Sequence, residues 1–189
     1  AKLESRGCMI AGPAEGRLAS GLIGKGRMLE VQELIGHIRA MLGRKGDLAG
    51  RKIVVSAGGT REPVDPVRVI ANRSTGKMGC AVAEAARDRG ATTTVVSAAT
   101  GLPDPVGVEL MRAETALEMQ EAVLRACRGA DALIMAAAVA DWRPASAASR
   151  KVKKGNSETW SIDLVKNPDI LSEASGDRLV KVGFAAESE

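Results

Sequence analysis

Ile53-Val-Val55, Ser56-Ala-Gly-Gly-Thr-Arg-Glu-Pro-Val-Asp-Pro-Val-Arg68 and Asn72-Arg-Ser-Thr-Gly-Lys-Met-Gly79 make up the stretch whose reading decides the fold. A short apolar strand ends at Val55, two Gly-rich turns follow, and an amphipathic helix begins at Gly76. In an α/β chain the carboxyl end of a strand and the free N–H groups of the next helix face one crevice, where ligands bind. The stretch carries Arg61, Arg68, Arg73 and Lys77 beside the uncharged donors and acceptors Asn72, Ser74 and Thr75. That mixture suits an anionic ligand.

Outward from this stretch the pattern is regular. Lys52–Val55 reads as a strand and 76–89 as a helix, with Met78, Ala81, Val82, Ala85 and Ala86 on one stripe and Gly90 at C′. Residues 91–96 form a second strand, rich in β-branched residues, and 108–111 a third. Thr115-Ala-Leu-Glu118 has the form of a capping box, opening a helix that runs to Cys127. Residues 132–138 are apolar throughout, as a central parallel strand should be, and 179–184 supply a fifth strand. Strands alternating with helices imply right-handed crossovers. The fold class is α/β: a Rossmann-like, doubly wound, mainly parallel sheet. Lys151–Lys154 and Glu158–Leu164 flank Gly155-Asn156 and read as an inserted β-hairpin arm. Asn167 is placed as N-cap and Pro168 as N1 of a short helix.

Towards the N-terminus, residues 1–28 are dense in Gly and Pro and read as loop, and 28–42 as a helix. Gly43–Gly50 reads as a polar linker and the domain boundary. The 189-residue chain is 45% hydrophobic but only 2% aromatic, so the core is built from Ala, Val, Leu, Ile and Met. Few aromatics also argue against a stacking platform for single-stranded nucleic acid. A net charge of +4, spread along the chain, fits a small anionic ligand. Cys8, Cys80 and Cys127 show neither a disulfide framework nor zinc spacing, pointing to a reducing, cytoplasmic setting. No apolar run is long enough for a membrane span, and no signal peptide is evident. Both ends read as cut.

Several residue sets could carry chemistry. Gly76-Lys-Met-Gly79 is either a phosphate cradle at a helix start or a tight turn. Met78 after the lysine and Ala71 in place of the first glycine exclude a Walker A loop. There is no G-x-G-x-x-G, and Ser97 stands where a dinucleotide site carries its ribose-binding acid. An NAD(P)-dependent reductase is thereby disfavoured. Asn72 is a turn former or a ligand contact. Arg61 and Arg68 flank Glu62 and Asp65 at salt-bridge spacing. Asp141, directly after the fourth strand, holds Mg²⁺ or a ribose hydroxyl, or caps a turn. Lys151, Lys153 and Lys154 are a solvated charge run or, beside the crevice, functional cations.

Six signatures in series resemble one family: 56–68, 72–79, Ala136-Ala-Ala-Val-Ala-Asp-Trp-Arg-Pro144, Lys151-Val-Lys-Lys154, Asn167-Pro-Asp-Ile-Leu171 and Val182-Gly-Phe-Ala-Ala-Glu187. They look like those of phosphopantothenate–cysteine ligase, in bacteria the C-terminal half of a bifunctional coenzyme A biosynthesis protein. The resemblance implies CTP-dependent coupling of 4′-phosphopantothenate to cysteine through an acyl-cytidylate. It implies that Ser74, Gly76, Lys77 and Met78 cradle phosphates. Lys151 would neutralise the α-phosphate, and Asp141 would meet the nucleotide or its Mg²⁺. Met135, Ala136, Ala137, Pro168, Asp169, Ile170, Leu171 and Phe184 would form the nucleotide pocket, and Asn72 would engage the acyl-cytidylate. A homodimer formed through the hairpin arm is implied as well.

Residues 2–42 resemble the end of the family's flavin-dependent decarboxylase half. Ser20 stands where that half carries its proton-donating Cys, and a hydroxyl is a poor acid near neutral pH. The FMN-binding motifs would lie upstream. The implied organisation is 1–44 decarboxylase remnant, 45–50 linker and 51–189 ligase domain. A Lys-x-x-Lys-x-x-Asp segment that follows Glu187 in the family is not in the chain, so the chain would be a weak or inactive ligase, or a nucleotide-binding regulatory piece.

Overall fold

The computed structural model describes residues 2–154, 158–176 and 178–186. In chain order the elements are β1 (Ala14–Arg17), β2 (Ile23–Arg27), α1 (Val31–Gly43), β3 (Lys52–Ala57), β4 (Arg61–Pro63), β5 (Val69–Ala71), α2 (Lys77–Asp88), β6 (Thr92–Ser97), β7 (Glu109–Arg112), α3 (Ala116–Ala126), β8 (Ala132–Met135), β9 (Trp142–Pro144), β10 (Leu164–Lys166), α4 (Ile170–Glu173) and β11 (Val180–Gly183). A 3-10 turn at Glu4–Arg6 precedes them.

Five of these strands pair in parallel in the order β7-β6-β3-β8-β11. Alternating side chains divide the core between the two faces of this sheet. Ile53, Val55, Ala57 and Val95 point to α2, where Ala83 and Ala86 meet them. Val54, Val96, Leu133 and Met135 point the other way, to Met119, Ala122 and Val123 of α3 and Ile170 of α4. Burial on both faces is what makes these strands read as continuous apolar runs. Thr115 accepts from the Glu118 N–H at 3.2 Å, and the Glu118 carboxylate accepts from the Thr115 N–H, so the expected capping box is formed. Buried Glu62 adds a second acceptor there, taking the Ala116 N–H at 2.9 Å.

The expected Rossmann-like sheet is therefore present, with several local departures. On α2, Met78, Ala81 and Ala85 of the expected stripe are exposed, and Ala83 faces the sheet beside Ala86. Residues 1–28 are not all loop, because β1 and β2 pair antiparallel there. The fourth strand stops at Met135 rather than Ala138, and 136–140 rise above the sheet, tied back by Ala138 N–H to Gly58 O at 2.8 Å. The expected hairpin limbs do not pair: 151–154 and 158–163 carry no strand, and the turn at 155–157 lies outside the described residues. Leu164–Lys166 pairs instead with Trp142–Pro144. Finally, Asn167 and Pro168 do not start a helix. Asn167 is buried and donates its amide to Ala140 O at 2.7 Å, while Asp169 caps α4 by accepting from Ser172 N–H at 3.0 Å.

Between β6 and β7 the chain crosses without a helix, and α1 occupies the space. A Cβ on Gly36 would lie 2.9 Å from Val106 Cβ, and one on Gly43 would lie 2.1 Å from Asp88 O. The stretch after it is held as well, by Leu48 N–H to Arg89 O at 2.9 Å and by an Asp47–Arg89 ion pair.

Gly58 closes the turn after β3 with φ +88°, and a Cβ there would lie 2.3 Å from Ala99 N. Left-handed backbone costs an L-residue roughly 1–2 kcal/mol, and overpacking costs about 1–3 kcal/mol more. Gly58→Ala should therefore lower unfolding stability by about 2–5 kcal/mol, read from the urea midpoint at unchanged m-value. A loss under 1 kcal/mol would show that the turn relaxes freely.

Candidate functional site

Between β3 and β8 the strand order reverses, because the chain runs from β3 out to β7 on one side and returns to β8 on the other. The crevice above the carboxyl ends of these two strands is the general ligand position of an open α/β sheet. Side chains at the strand ends brace it. Ser56 Oγ accepts from Ala137 N–H at 3.1 Å, and Thr60 Oγ1 accepts from Ala140 N–H at 2.9 Å. Asn72, arriving from β5, donates its amide to Val139 O at 3.2 Å and Ala138 O at 3.4 Å.

A cleft of about 650 Å³ opens here, within the size range of small-molecule sites. Its walls are Asn72, the 135–141 crest, the 166–171 segment and the 183–186 segment. Of the residues singled out in the sequence, Asn72, Met135, Ala137, Asp141, Pro168, Asp169, Ile170, Leu171 and Phe184 line it together, and Ala136 sits within the same crest. Phe184 is fixed by its own N–H to Met135 O at 3.1 Å, while its side chain stays half exposed. Asp169 has a structural task. Its carboxylate takes the Ser172 hydroxyl at 2.7 Å and the Ser172 N–H, and these bonds hold its pKa below the ordinary carboxylate value.

Ser74, Gly76, Lys77 and Met78 do not line this cleft but stand beside it. A Cβ on Gly76 would lie 3.1 Å from Gly58 N, and one on Gly59 would lie 3.4 Å from Ser74 Cβ. Gly76 is the N-cap of α2 with φ 78° and offers no side chain; Thr75 Oγ1 accepts from the Lys77 N–H at 3.4 Å, and the Met78 and Gly79 N–H groups keep their capacity for an anion. Lys151 is not in the cleft. It is exposed, and the residues after it, Val152 to Lys154, line a separate cleft of about 540 Å³ with Arg68 and Trp160. Ser20 is exposed on the β1–β2 turn. Of the two arginines expected in salt bridges, Arg68 pairs with Asp65, whereas Arg61 has no ion pair among the described residues. Ser97, at the end of β6, is buried and accepts from Ala99 N–H at 3.1 Å, so no carboxylate waits there for a ribose.

One polar cleft residue escaped the sequence reading. Among the described residues lining the cleft Lys166 is the one basic residue, next to Asn167 of the 167–171 signature. Lys166 enters because β10 pairs with β9, so that the Lys166 carbonyl accepts from Arg143 Nη1 at 2.7 Å. No local motif announces that pairing.

Asp141 stands at the rim with an exposed side chain, its carbonyl accepting from Asn167 N–H at 2.8 Å. Among the described residues no group of three or more His, Cys, Asp or Glu converges to cage a metal. Mg²⁺ is commonly held by one or two carboxylates together with substrate phosphates. One exposed carboxylate fits Mg²⁺ in that manner, shared with a phosphate-bearing ligand. No helix among the described residues is long and apolar enough to cross a membrane.

Against known proteins, residues 48–189 match the family described as DNA/pantothenate metabolism flavoprotein C-terminal domain. The coenzyme A biosynthesis bifunctional protein CoaBC of Mycolicibacterium smegmatis is 46% identical over 201 aligned residues, covering 100% of this chain and 49% of that protein. Its counterpart in Vibrio cholerae is 44% identical, covering 97% and 47%. The chain thus spans about half the length of the curated relatives it matches. Among solved structures, the C-terminal domain of a CoaBC protein superposes with TM-score 0.64 at 39% identity, covering 74% of this chain and 66% of that one. A Cab2 variant in complex with phosphopantothenate-cysteine gives TM-score 0.61 at 16% identity, a likeness of fold. The chain belongs to the DNA/pantothenate metabolism flavoprotein C-terminal domain family.

Proposed function

We propose that this chain is the ligase part of a coenzyme A biosynthesis enzyme and that its β3/β8 cleft binds CTP for joining 4′-phosphopantothenate to cysteine. One observation carries this reading: four of the six signature segments, separated by up to about a hundred residues, line that single cleft. Backbone groups of 135–137 and 168–171 with the Phe184 ring would hold the base. Asp141, together with the nucleotide phosphates, would hold Mg²⁺, which screens phosphate charge. The open N-terminus of α2 at Gly76–Met78, Ser74, Lys77 and Lys151 would take the remaining phosphate charge.

In the first step a carboxylate oxygen of 4′-phosphopantothenate attacks the α-phosphorus, and the bond to the leaving pyrophosphate breaks. In the second the cysteine amine attacks the acyl carbon, the C–O bond to CMP breaks and the amine gives up a proton. Negative charge gathers in both steps, so preorganised donors and cations are the physical requirement. Residues 1–44 would be the end of a decarboxylase domain whose FMN site lies in residues outside this chain. Exposed Trp142, Leu164 and Val165 on the β9–β10 ribbon, with Trp160, support a homodimer on that side.

The test is CTP-dependent pyrophosphate release by the full-length protein, started with 4′-phosphopantothenate and followed with cysteine. Release that needs both CTP and 4′-phosphopantothenate, with CMP appearing on cysteine addition, is the expected result. Thermal stabilisation by NADPH but not CTP would overturn it in favour of a reductase.

A further inference from the structure

The basic segment bearing Lys151 has no strand partner, yet it is not loose. Asp65, in the turn between β4 and β5, has a fully buried carboxylate. Its Oδ1 accepts from Val67 N–H and Arg68 N–H, both at 2.9 Å. Its Oδ2 accepts from Arg68 Nε at 3.0 Å and from Val152 N–H at 3.1 Å. Arg68 Nη2 donates to the same oxygen and also to Val152 O at 2.7 Å. Both backbone groups of Val152 are thus taken by one carboxylate–guanidinium pair. The other face of that guanidinium lies 4.5 Å from the centroid of the Trp160 ring, so one arginine reaches both limbs of the segment. A third tie, Ala148 N–H to Val64 O at 2.9 Å, fixes the approach.

We infer that Asp65, acting through Arg68, is a positioning residue: the pair staples the basic segment to the β4–β5 turn at Val152, and so sets where Lys151 stands. A carboxylate satisfied by five N–H bonds is far more order than a surface turn needs. An exposed ion pair adds little to a fold, whereas this one is desolvated on the acid side and directs its spare donors to a distant backbone. The geometry makes Asp65 the fixed point, Arg68 the arm and Val152 the load. From Arg68 the extended chain of β5 runs to Asn72, four residues or roughly 13 Å away, so the staple ties the basic segment to the cleft's own wall. Asp65 lines neither of the two clefts.

The inference rests on the reading of Lys151 as a phosphate cation, and the experiment separates the two. Backbone amide exchange is measured on this chain and on Asp65→Asn. The Val152 amide should exchange at least about tenfold faster in the variant while Val54 and Val95 in the sheet stay protected, which also certifies the fold. Acyl-cytidylate formation is then timed in the full-length protein for Asp65→Asn, Lys151→Ala and the double variant. Asp65→Asn should slow it about tenfold with the KM for CTP little changed, and the double variant should be no slower than Lys151→Ala alone, because a positioning residue has nothing left to position. Unchanged Val152 exchange, or losses that multiply in the double variant, overturns the staple. A Lys151→Ala variant at the wild-type rate overturns instead the reading of Lys151, with the Val152 exchange still deciding whether the staple exists.

Discussion

Replacing Asn72 by alanine in the full-length protein should leave acyl-cytidylate formation near its normal rate and slow the onward reaction with cysteine by about 10²–10³, the range seen on losing one oxyanion-type donor. The intermediate should accumulate and be visible by mass spectrometry of quenched reactions. Asn72 is the one side chain from the β5–α2 connection that lines the cleft, and it faces the 138–139 carbonyls of the opposite wall. Those two bonds also tie the walls together, so the substitution carries a stability cost of about 1 kcal/mol. The thermal midpoint measured beside the kinetics separates the two effects. A small drop in midpoint with a stalled second step is the expected pair. Equal slowing of both steps would mean that Asn72 only braces the wall and that the chemistry is carried elsewhere in the cleft.

The parts of this fold that sequence discloses are those decided by near neighbours. Val55 faces α2, the next helix in the chain, and Val54 faces α3, the helix that directly precedes β8, so each layer helix flanks a sheet strand in the chain and the strand–helix alternation was readable. The Thr115–Glu118 box is closed within four residues. Where partners are distant the reading failed. Trp160, Ile162 and Leu164 satisfy the two-residue period of a strand, but the pairing available to Leu164–Lys166 is with Trp142–Pro144. Asn167 before proline looks like an N-cap, yet its amide is drawn to Ala140 O, and Asp169 inherits the cap. The same distance effect governs the site. Asp141 was legible because strand ends at a switch point bind ligands, and 135–137 only through the family resemblance, whereas Lys166 reaches the cleft through a ribbon whose register no local rule supplies.

The helix α1 shows the opposite case. A helix was expected over 28–42, but its packing was not: Ile38 and Leu42 are exposed, and Gly36 and Gly43 are its buried residues. Glycines at 36 and 43 let it sit against Val106 and the end of α2, in the place left by a crossover without a helix. The α/β layer is thereby completed by a helix that precedes its first parallel strand. Residues on either side of the expected linker share one packed face, and separating them would expose that face.

Lys151→Ala in the full-length protein should slow acyl-cytidylate formation by about 10²–10³ while leaving CTP binding within a few-fold of normal, the signature of a cation used chiefly in the transition state. The physical demand is specific. As the carboxylate attacks, charge builds on the α-phosphate oxygens, and a flexible ammonium on a fixed backbone can follow it. Lys153 and Lys154, on the same exposed segment, are the built-in comparison: each as alanine should cost less than about tenfold if the run otherwise acts as a solvated face. The competing cation is Lys166, which lines the cleft where Lys151 does not. If Lys166→Ala stalls the first step and Lys151→Ala does not, the phosphate cation belongs to the β10 end of the cleft and the stapled segment serves another purpose. If Lys151→Ala stalls it, the basic segment reaches the phosphates during catalysis, and the bonds that Asp65 and Arg68 make to Val152 become part of the catalytic geometry. The two results exclude each other, and both are read from the same quenched time course.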